Sequence, residues 1–257
     1  MSAGRPLTVV VTGGSGPSGI AAARALHDAG HTVFTVGSDR PRIEAAAAKA
    51  GTGVTPLVCD LADLAGVRSL RGEIQAALAG TGQAVDGVLH LVGGWRGAKG
   101  IPDQSDEDWE FLERAAITTL RNVTRVFYED LAASDAGRFA MVSSTAVSHP
   151  GAGGASYAAA KAAAEAWTLA VADGFRQDQS GTAGPGSGDS RAEQHSAAVI
   201  FVVKALVDAA MRAKFPDRTF PGFTDVEDLA AAAVGLFTSP AAELNGRRLL
   251  LGPAPER

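Results

Sequence analysis

The sequence predicts an α/β fold, a doubly wound parallel sheet of about seven strands with helices on both faces in a single domain. Three observations carry this expectation. Short apolar runs alternate with longer helical stretches along nearly the whole chain. The first run feeds a glycine-rich loop that opens directly into an alanine-rich helix. The length, 257 residues of which 46% are hydrophobic, suffices for one well-buried domain, and nothing in it demands a second.

The elements follow in order. Leu7-Thr8-Val9-Val10-Val11 is apolar and β-branched, as a strand covered on both faces requires. Thr12-Gly13-Gly14-Ser15-Gly16-Pro17-Ser18-Gly19-Ile20 forms the loop, and the helix runs through Ala21, Ala22, Ala23, Ala25 and Leu26 to a glycine stop at Gly30. His31 to Val36 reads as the second strand, Val54 to Cys59 as the third, Val85 to Val92 as the fourth and Arg138 to Val142 as the fifth. Ala197 to Val203 is the sixth and Arg247 to Leu251 the last. Helices fill the gaps, among them Asp106 to Leu131 and Ala155 to Phe175. Thr224-Asp225-Val226-Glu227 reads as a capping box for a helix through Phe237. Within the single domain, 1–257, the stretch Gln177 to His195 has no large apolar residue and reads as a mobile surface insertion.

Two constellations carry chemistry. Glycines in the first loop let the backbone turn tightly and approach a pyrophosphate, whose charge then rests on amides at the helix N-terminus. Tyr157-Ala-Ala-Ala-Lys161 places a phenol and an ammonium on one helical face, and Ser144 lies thirteen residues upstream at the end of a strand. A tyrosine near its usual pKa of ~10 is a poor acid or base at neutral pH. A fixed ammonium beside it, here Lys161, stabilises the phenolate and lowers that pKa. Ser144 is suited to hold a carbonyl oxygen against the phenol as charge develops there.

With both motifs in place, the chain resembles the short-chain dehydrogenase/reductase family from Thr8 to about Leu251, whose fold is Rossmann-like. The family's Thr-Gly-x-x-x-Gly-x-Gly falls on Thr12, Gly13 and Gly19, with Pro17 where the middle glycine is expected. Proline has no amide donor, so either one phosphate contact is lost or Gly16 takes over the close approach. The resemblance implies catalytic roles for Ser144, Tyr157 and Lys161. It implies cofactor contacts at Thr12, Gly13, Ser15, Gly16, Ser18, Gly19 and Ile20, at Asp60 and Leu61, at Val92, Gly93 and Gly94, at Tyr157 and Lys161, and at Val203 and Leu206. A fourth family residue, an asparagine in the proton relay, should fall near Ala116 or Ile117, and neither can do that work. Asn122 is too far along the helix.

The end of the second strand bears on cofactor choice. An aspartate there favours NAD, whereas a small residue followed by arginine leaves room and charge for a 2′-phosphate. Gly37, Ser38, Arg40 and Arg42 favour NADP, Asp39 argues for NAD, and NADP is the expectation with NAD possible. After the fourth strand, His90-Leu91-Val92-Gly93-Gly94-Trp95 resembles the turn of the dihydropteridine reductases, an atypical branch of the family. Val203 to Met211 and Asn245-Gly246-Arg247 resemble that branch too, although Lys204 replaces its proline and Ala209 its threonine. Ser144 points the other way, because that branch lacks the serine. Trp95, Ser144 and His149 are the expected substrate-pocket residues, and His90 reads as a satisfied core histidine.

The function expected is therefore hydride transfer between NADP and a carbonyl or hydroxyl group, with Tyr157 moving the proton. Reduction of a C=N or quinonoid bond in a pterin-like ring is the alternative, and a catalytically silent nucleotide-binding protein is a third. A net charge of −5 offers no basic footprint for nucleic acid, and no His, Cys or acidic cluster has metal-ligand spacing. The single Cys59 excludes internal disulfides and fits a reducing cytoplasm. No apolar run reaches membrane-spanning length, and Met1 to Pro6 leads straight into the first strand without a signal peptide. Family resemblance implies a homodimer or homotetramer built on the two long helices, where Ala158, Ala159, Ala162 and Ala163 allow close approach.

Overall fold

Each expected strand is present in the computed structural model, which describes residues 5–180 and 194–252. β1 (Thr8–Thr12) is buried throughout and runs into α1 (Pro17–Asp28), which ends where Gly30 takes a positive φ of 88°. β2 (Thr32–Gly37), α2 (Arg40–Ala50), β3 (Thr55–Val58) and α3 (Leu64–Leu78) complete the first half. β4 (Val85–His90) is followed by α4 (Asp106–Glu113) and α5 (Thr119–Ala133), joined without a break by one π turn, Arg114–Thr118. Then come β5 (Arg138–Ser144), the long α6 (Ala155–Gln179) and the wholly buried β6 (Ala197–Val203). A two-stranded ribbon, β7 (Leu206–Val207) with β8 (Thr224–Asp225), brackets α7 (Ala209–Lys214). α8 (Val226–Gly235), α9 (Ala241–Leu244) and β9 (Arg248–Leu250) close the described chain.

The seven-stranded sheet has the order β3-β2-β1-β4-β5-β6-β9, with every pair parallel. Strand order reverses between β1 and β4, where the loops after the two strands diverge and leave a crevice at the carboxyl edge. The register aligns that edge: Thr12 faces Val36 and His90, and Ser144 faces Val203.

Alternation along the strands divides the core into two layers. Val10, Phe34, Phe139 and Ile200 pack on one face with Ile74, Phe127 and Phe175 from α3, α5 and α6. Val9, Val11, Leu89 and Phe201 pack on the other with Leu26, Leu229 and Leu236 from the α1 and α8 side. Two buried charged side chains brace the amino edge. Asp86 is fully buried and accepts from the Thr8 amide at 2.9 Å, the Ser134 hydroxyl at 2.6 Å and the Arg5 guanidinium at 2.6 and 3.0 Å. Arg138 gives its donors to four carbonyls, those of Gly137, His195, Leu236 and Ser239, at 2.7 to 2.9 Å.

Three expectations need correction. Thr224 does not cap the helix that follows: its hydroxyl goes to the Leu251 carbonyl, and Asp225 caps α8 through the Glu227 amide. The expected insertion at 177–195 falls mainly on residues 181–193, outside the described residues. Its ends are ordered, because Gln177 to Gln179 finish α6 and the buried Gln179 binds the amides of His195 and Ser196. α8 stops at Gly235, before Phe237.

Candidate active site

The carboxyl edge of the sheet opens into a cleft of about 1420 Å³. β5 delivers Ser144 to it, and α6, packed beside β5, delivers Tyr157 and Lys161, one helical turn apart. Val92, Gly93, Gly94 and Trp95 follow β4 into the same cleft, and Ser18, His149, Val203 and Leu206 complete the expected residues that line it. The other expected cofactor residues sit outside the cleft lining, at the carboxyl ends of the neighbouring strands. Thr12, Gly13, Ser15, Gly16, Gly19 and Ile20 form the β1–α1 turn, Ser38 and Arg40 follow β2, and Asp60 and Leu61 follow β3.

Burial dominates the electrostatics of the two key groups. It raises the Tyr157 phenol, and the interaction with the Ser144 hydroxyl works against that rise. Lys161 was expected to supply the lowering influence, but its ammonium donates instead to the Val142 carbonyl at 2.8 Å. Desolvation pushes Lys161 down to about 8, with Glu165 pulling the other way. Ser144 Oγ also accepts from the Ala146 amide at 3.2 Å, which holds the hydroxyl at the strand end.

A buried histidine sits beneath this site. His90 places Nδ1 2.9 Å from Thr12 Oγ1 and Nε2 3.2 Å from Thr119 Oγ1. Complete burial, with the Lys161 charge as a second cause, depresses its pKa to about 3, so the ring is neutral. The expectation of a satisfied core histidine fits this geometry. Thr119 in turn donates to the Ala115 carbonyl at 2.7 Å, tying β1, β4 and the π turn together. Ala116 is buried inside that turn and supplies no polar atom. Asn122 is spent elsewhere, donating to the Leu61 and Ala62 carbonyls at 3.1 and 3.0 Å and so holding the turn after β3.

The first loop fits a dinucleotide on steric grounds. A Cβ on Gly13, where φ is 75°, would lie 2.7 Å from the Leu91 carbonyl group, and one on Gly19 would lie 2.5 Å from the Gly13 oxygen. Both positions therefore exclude larger residues, and the backbone surface beside them stays bare. Pro17 occupies the first turn of α1, where its missing amide costs no helical hydrogen bond. The Ser18 and Gly19 amides remain at the helix N-terminus to meet an anion. A Cβ on Gly93 would come within 3.4 Å of Lys161 Nζ, so the bare backbone leaves that ammonium reachable. Gly94 has a packing reason as well, since a Cβ there would meet the Phe111 ring at 2.8 Å.

After β2, Asp39 is the N-cap of α2 and accepts from the Arg42 amide at 2.9 Å. One of its two carboxylate oxygens is thereby engaged, and Ser38, Asp39 and Arg40 are all exposed, with Arg40 3.4 Å from Glu44. Asp60 accepts from the Ala62 amide and from Arg114, at 3.0 and 2.6 Å. Sequence reading missed Arg248, which lines the cleft and is held from behind by the buried Glu165 and Ser143. Arg248 Nε lies 2.8 Å from Glu165 Oε2, and Ser143 Oγ donates to Glu165 Oε1 at 2.5 Å. Arg248 had no motif to mark it, because its partner lies 83 residues away in the chain.

The family model for short chain dehydrogenases matches residues 7–186. An NADP-dependent 3-hydroxy acid dehydrogenase of Salmonella typhi is 28% identical over 177 residues, spanning 69% of this chain and 68% of that protein. A short chain oxidoreductase of Pseudomonas aeruginosa with an atypical catalytic centre superposes with a TM-score of 0.80 at 18% identity, over 98% of this chain and 97% of that one. The 3-ketoacyl-(acyl-carrier-protein) reductase of Brucella melitensis, solved with NADH, superposes with a TM-score of 0.75 at 20% identity over 96% of each chain. These two likenesses speak to the fold. The family match spans well over half of the sequence and coincides with the glycine turn, the sheet order and the Ser144, Tyr157 and Lys161 cleft: the chain belongs to the short-chain dehydrogenase family.

Proposed function

We propose that the protein is an NADP-preferring oxidoreductase acting on a hydroxyl or carbonyl group, with Tyr157 as the acid and base. The observation that carries this reading is the convergence of Ser144, Tyr157 and Lys161 on one cleft beside the bare Gly93 backbone. A bound nicotinamide supplies or accepts the hydride. The β1–α1 turn, through the Ser18 and Gly19 amides and the Ser15 hydroxyl, receives the pyrophosphate, and Val92, Gly93, Val203 and Leu206 flank the nicotinamide end. Thr12 acts beneath the turn, through its contact with His90. Ser38 and Arg40 are the groups for a 2′-phosphate. The Salmonella relative's NADP dependence supports that preference.

The chain's own groups handle the proton. Ser144 Oγ orients the substrate oxygen, and the Tyr157 hydroxyl gives it a proton during reduction or takes one during oxidation. Lys161 stabilises the phenolate once its ammonium turns from the Val142 carbonyl toward the cleft, and it holds the ribose. Ser144 already works against the rise in the phenol's pKa, and a charge at Lys161 adds to that effect.

A second reading, reduction of a C=N or quinonoid bond, draws on Trp95, which is 66% exposed where it lines the cleft and presents a face on which a flat ring could stack. Ser144 favours the carbonyl reading. The test is a melting-temperature and fluorescence titration with NADPH and NADH, followed by turnover of ketones and a quinonoid dihydropterin with the reduced cofactors and of secondary alcohols with NADP+ and NAD+. NADPH binding with ketone or alcohol turnover is expected. Pterin turnover alone would favour the second reading, and tight cofactor binding with no turnover would favour a silent binding protein.

A further inference from the structure

The cleft carries a charge pattern that proton transfer leaves unused. Apart from Tyr157, its ionisable lining groups are His149, Lys161, Lys204 and Arg248, and no carboxylate of the described residues lines it. The chain as a whole carries −5, so this sign does not follow from an overall basic composition. Two of these cations are already committed: Lys161 to the Val142 carbonyl and Arg248 to Glu165. Lys204 is different. Its Nζ donates to the Pro221 carbonyl at 3.0 Å, and it forms no ion pair with a described carboxylate.

Position makes that charge useful. Ser144 faces Val203 across β5 and β6, so Lys204 is the next residue beyond the serine's neighbour on the open edge of the sheet. Its stem lies across the turn at Gly222, where φ is 75° and a Cβ would come 3.2 Å from Lys204 Cδ. Phe223 lies under the ammonium with its ring centre 6.0 Å away. One of three ammonium donors is used, and two remain for a ligand.

We propose that the substrate is a small organic acid whose carboxylate is held by Lys204 Nζ at the cleft mouth while its hydroxyl or carbonyl lies against Ser144 and Tyr157. The inference rests on the hydride-transfer reading and extends it to a substrate class. A carboxylate closing over Lys204 displaces water from both groups, and a charge-assisted hydrogen bond strengthens as the cleft dries.

The test uses 3-hydroxybutanoate and its methyl ester with NADP+, following NADPH formation by absorbance and binding of each probe to the NADP+-loaded protein by tryptophan fluorescence. The acid is expected to exceed the ester by about 10- to 100-fold in kcat/KM, the range for a hydrogen bond to a charged group. Lys204→Met should bring the ratio of acid to ester close to one, mainly through the acid's KM, and Lys204→Arg should restore most of it. Equal handling of acid and ester, an unchanged ratio in Lys204→Met, or no binding of the acid to cofactor-loaded protein would overturn the inference. Failure of the protein to bind NADP+ would instead defeat the hydride-transfer reading, and this inference with it.

Discussion

Lys161 and His90 are both held in low-dielectric surroundings that disfavour their charged forms, and their pKa values near 8 and 3 record it. For His90 the unfolded chain takes up a proton below about pH 6.5, whereas the folded protein resists until about pH 3. Stability is therefore complete above pH 6.5 and falls with acidification, by up to roughly 1.4 kcal/mol per pH unit. His90→Gln, which does not titrate, should lose this component, so that urea midpoints of variant and native protein converge between pH 6.5 and 4. Parallel curves would contradict the assignment. On the alkaline side the unfolded chain keeps the Lys161 proton up to its ordinary pKa of 10.5, while the folded chain releases it near 8. Folding stability attributable to this residue thus rises with pH between 8 and 10.5, and Lys161→Met should abolish that rise in the same urea measurements.

The elements that carry these residues depend on close backbone contacts and on polar partners far apart in sequence. Gly19→Ala should force the β1–α1 turn apart, because the added methyl would lie 2.5 Å from the Gly13 oxygen. A destabilisation of about 1–3 kcal/mol is expected by thermal or urea unfolding, together with weaker NADPH binding by fluorescence titration. Asp86→Ala would strand the Thr8 amide and the Ser134 hydroxyl in the interior and cost about 3–5 kcal/mol, measured as a shift in unfolding midpoint. The strands were legible because buried parallel strands read as continuous apolar runs, and α1 was legible from its alanine-rich run after the glycine loop and its stop at Gly30. The cap of α8 was not, since Thr224 has a partner 27 residues away at Leu251 that no local pattern reveals. Likewise the four carbonyls on Arg138 and the Glu165 partnership of Arg248 arise only when distant segments meet. Spacing put Tyr157 and Lys161 on one helical face, and the glycine loop with the family resemblance was needed to single them out beside Ser144. The preference of the Lys161 ammonium for Val142 was not legible, because it depends on the register of β5 beside α6.

Over the whole molecule, the parallel sheet gathers every strand's carboxyl end on one edge, and the strand-order reversal between β1 and β4 opens that edge into a cleft. The residues proposed to hold the cofactor and move the proton come from the ends of six strands, β1 to β6, and from α6, which explains why they span the sequence from Thr12 to Leu206. None of the described helices is long and apolar enough to cross a membrane. Among the described residues no group of three or more His, Cys, Asp or Glu could hold a metal ion. The most direct measurement compares native protein with Tyr157→Phe for NADPH binding by fluorescence and for turnover by NADPH absorbance. The variant should bind NADPH as the native protein does and lose about 10²- to 10⁴-fold in kcat, the usual contribution of a positioned acid or base. Full turnover in Tyr157→Phe would contradict the assignment of the proton to that phenol.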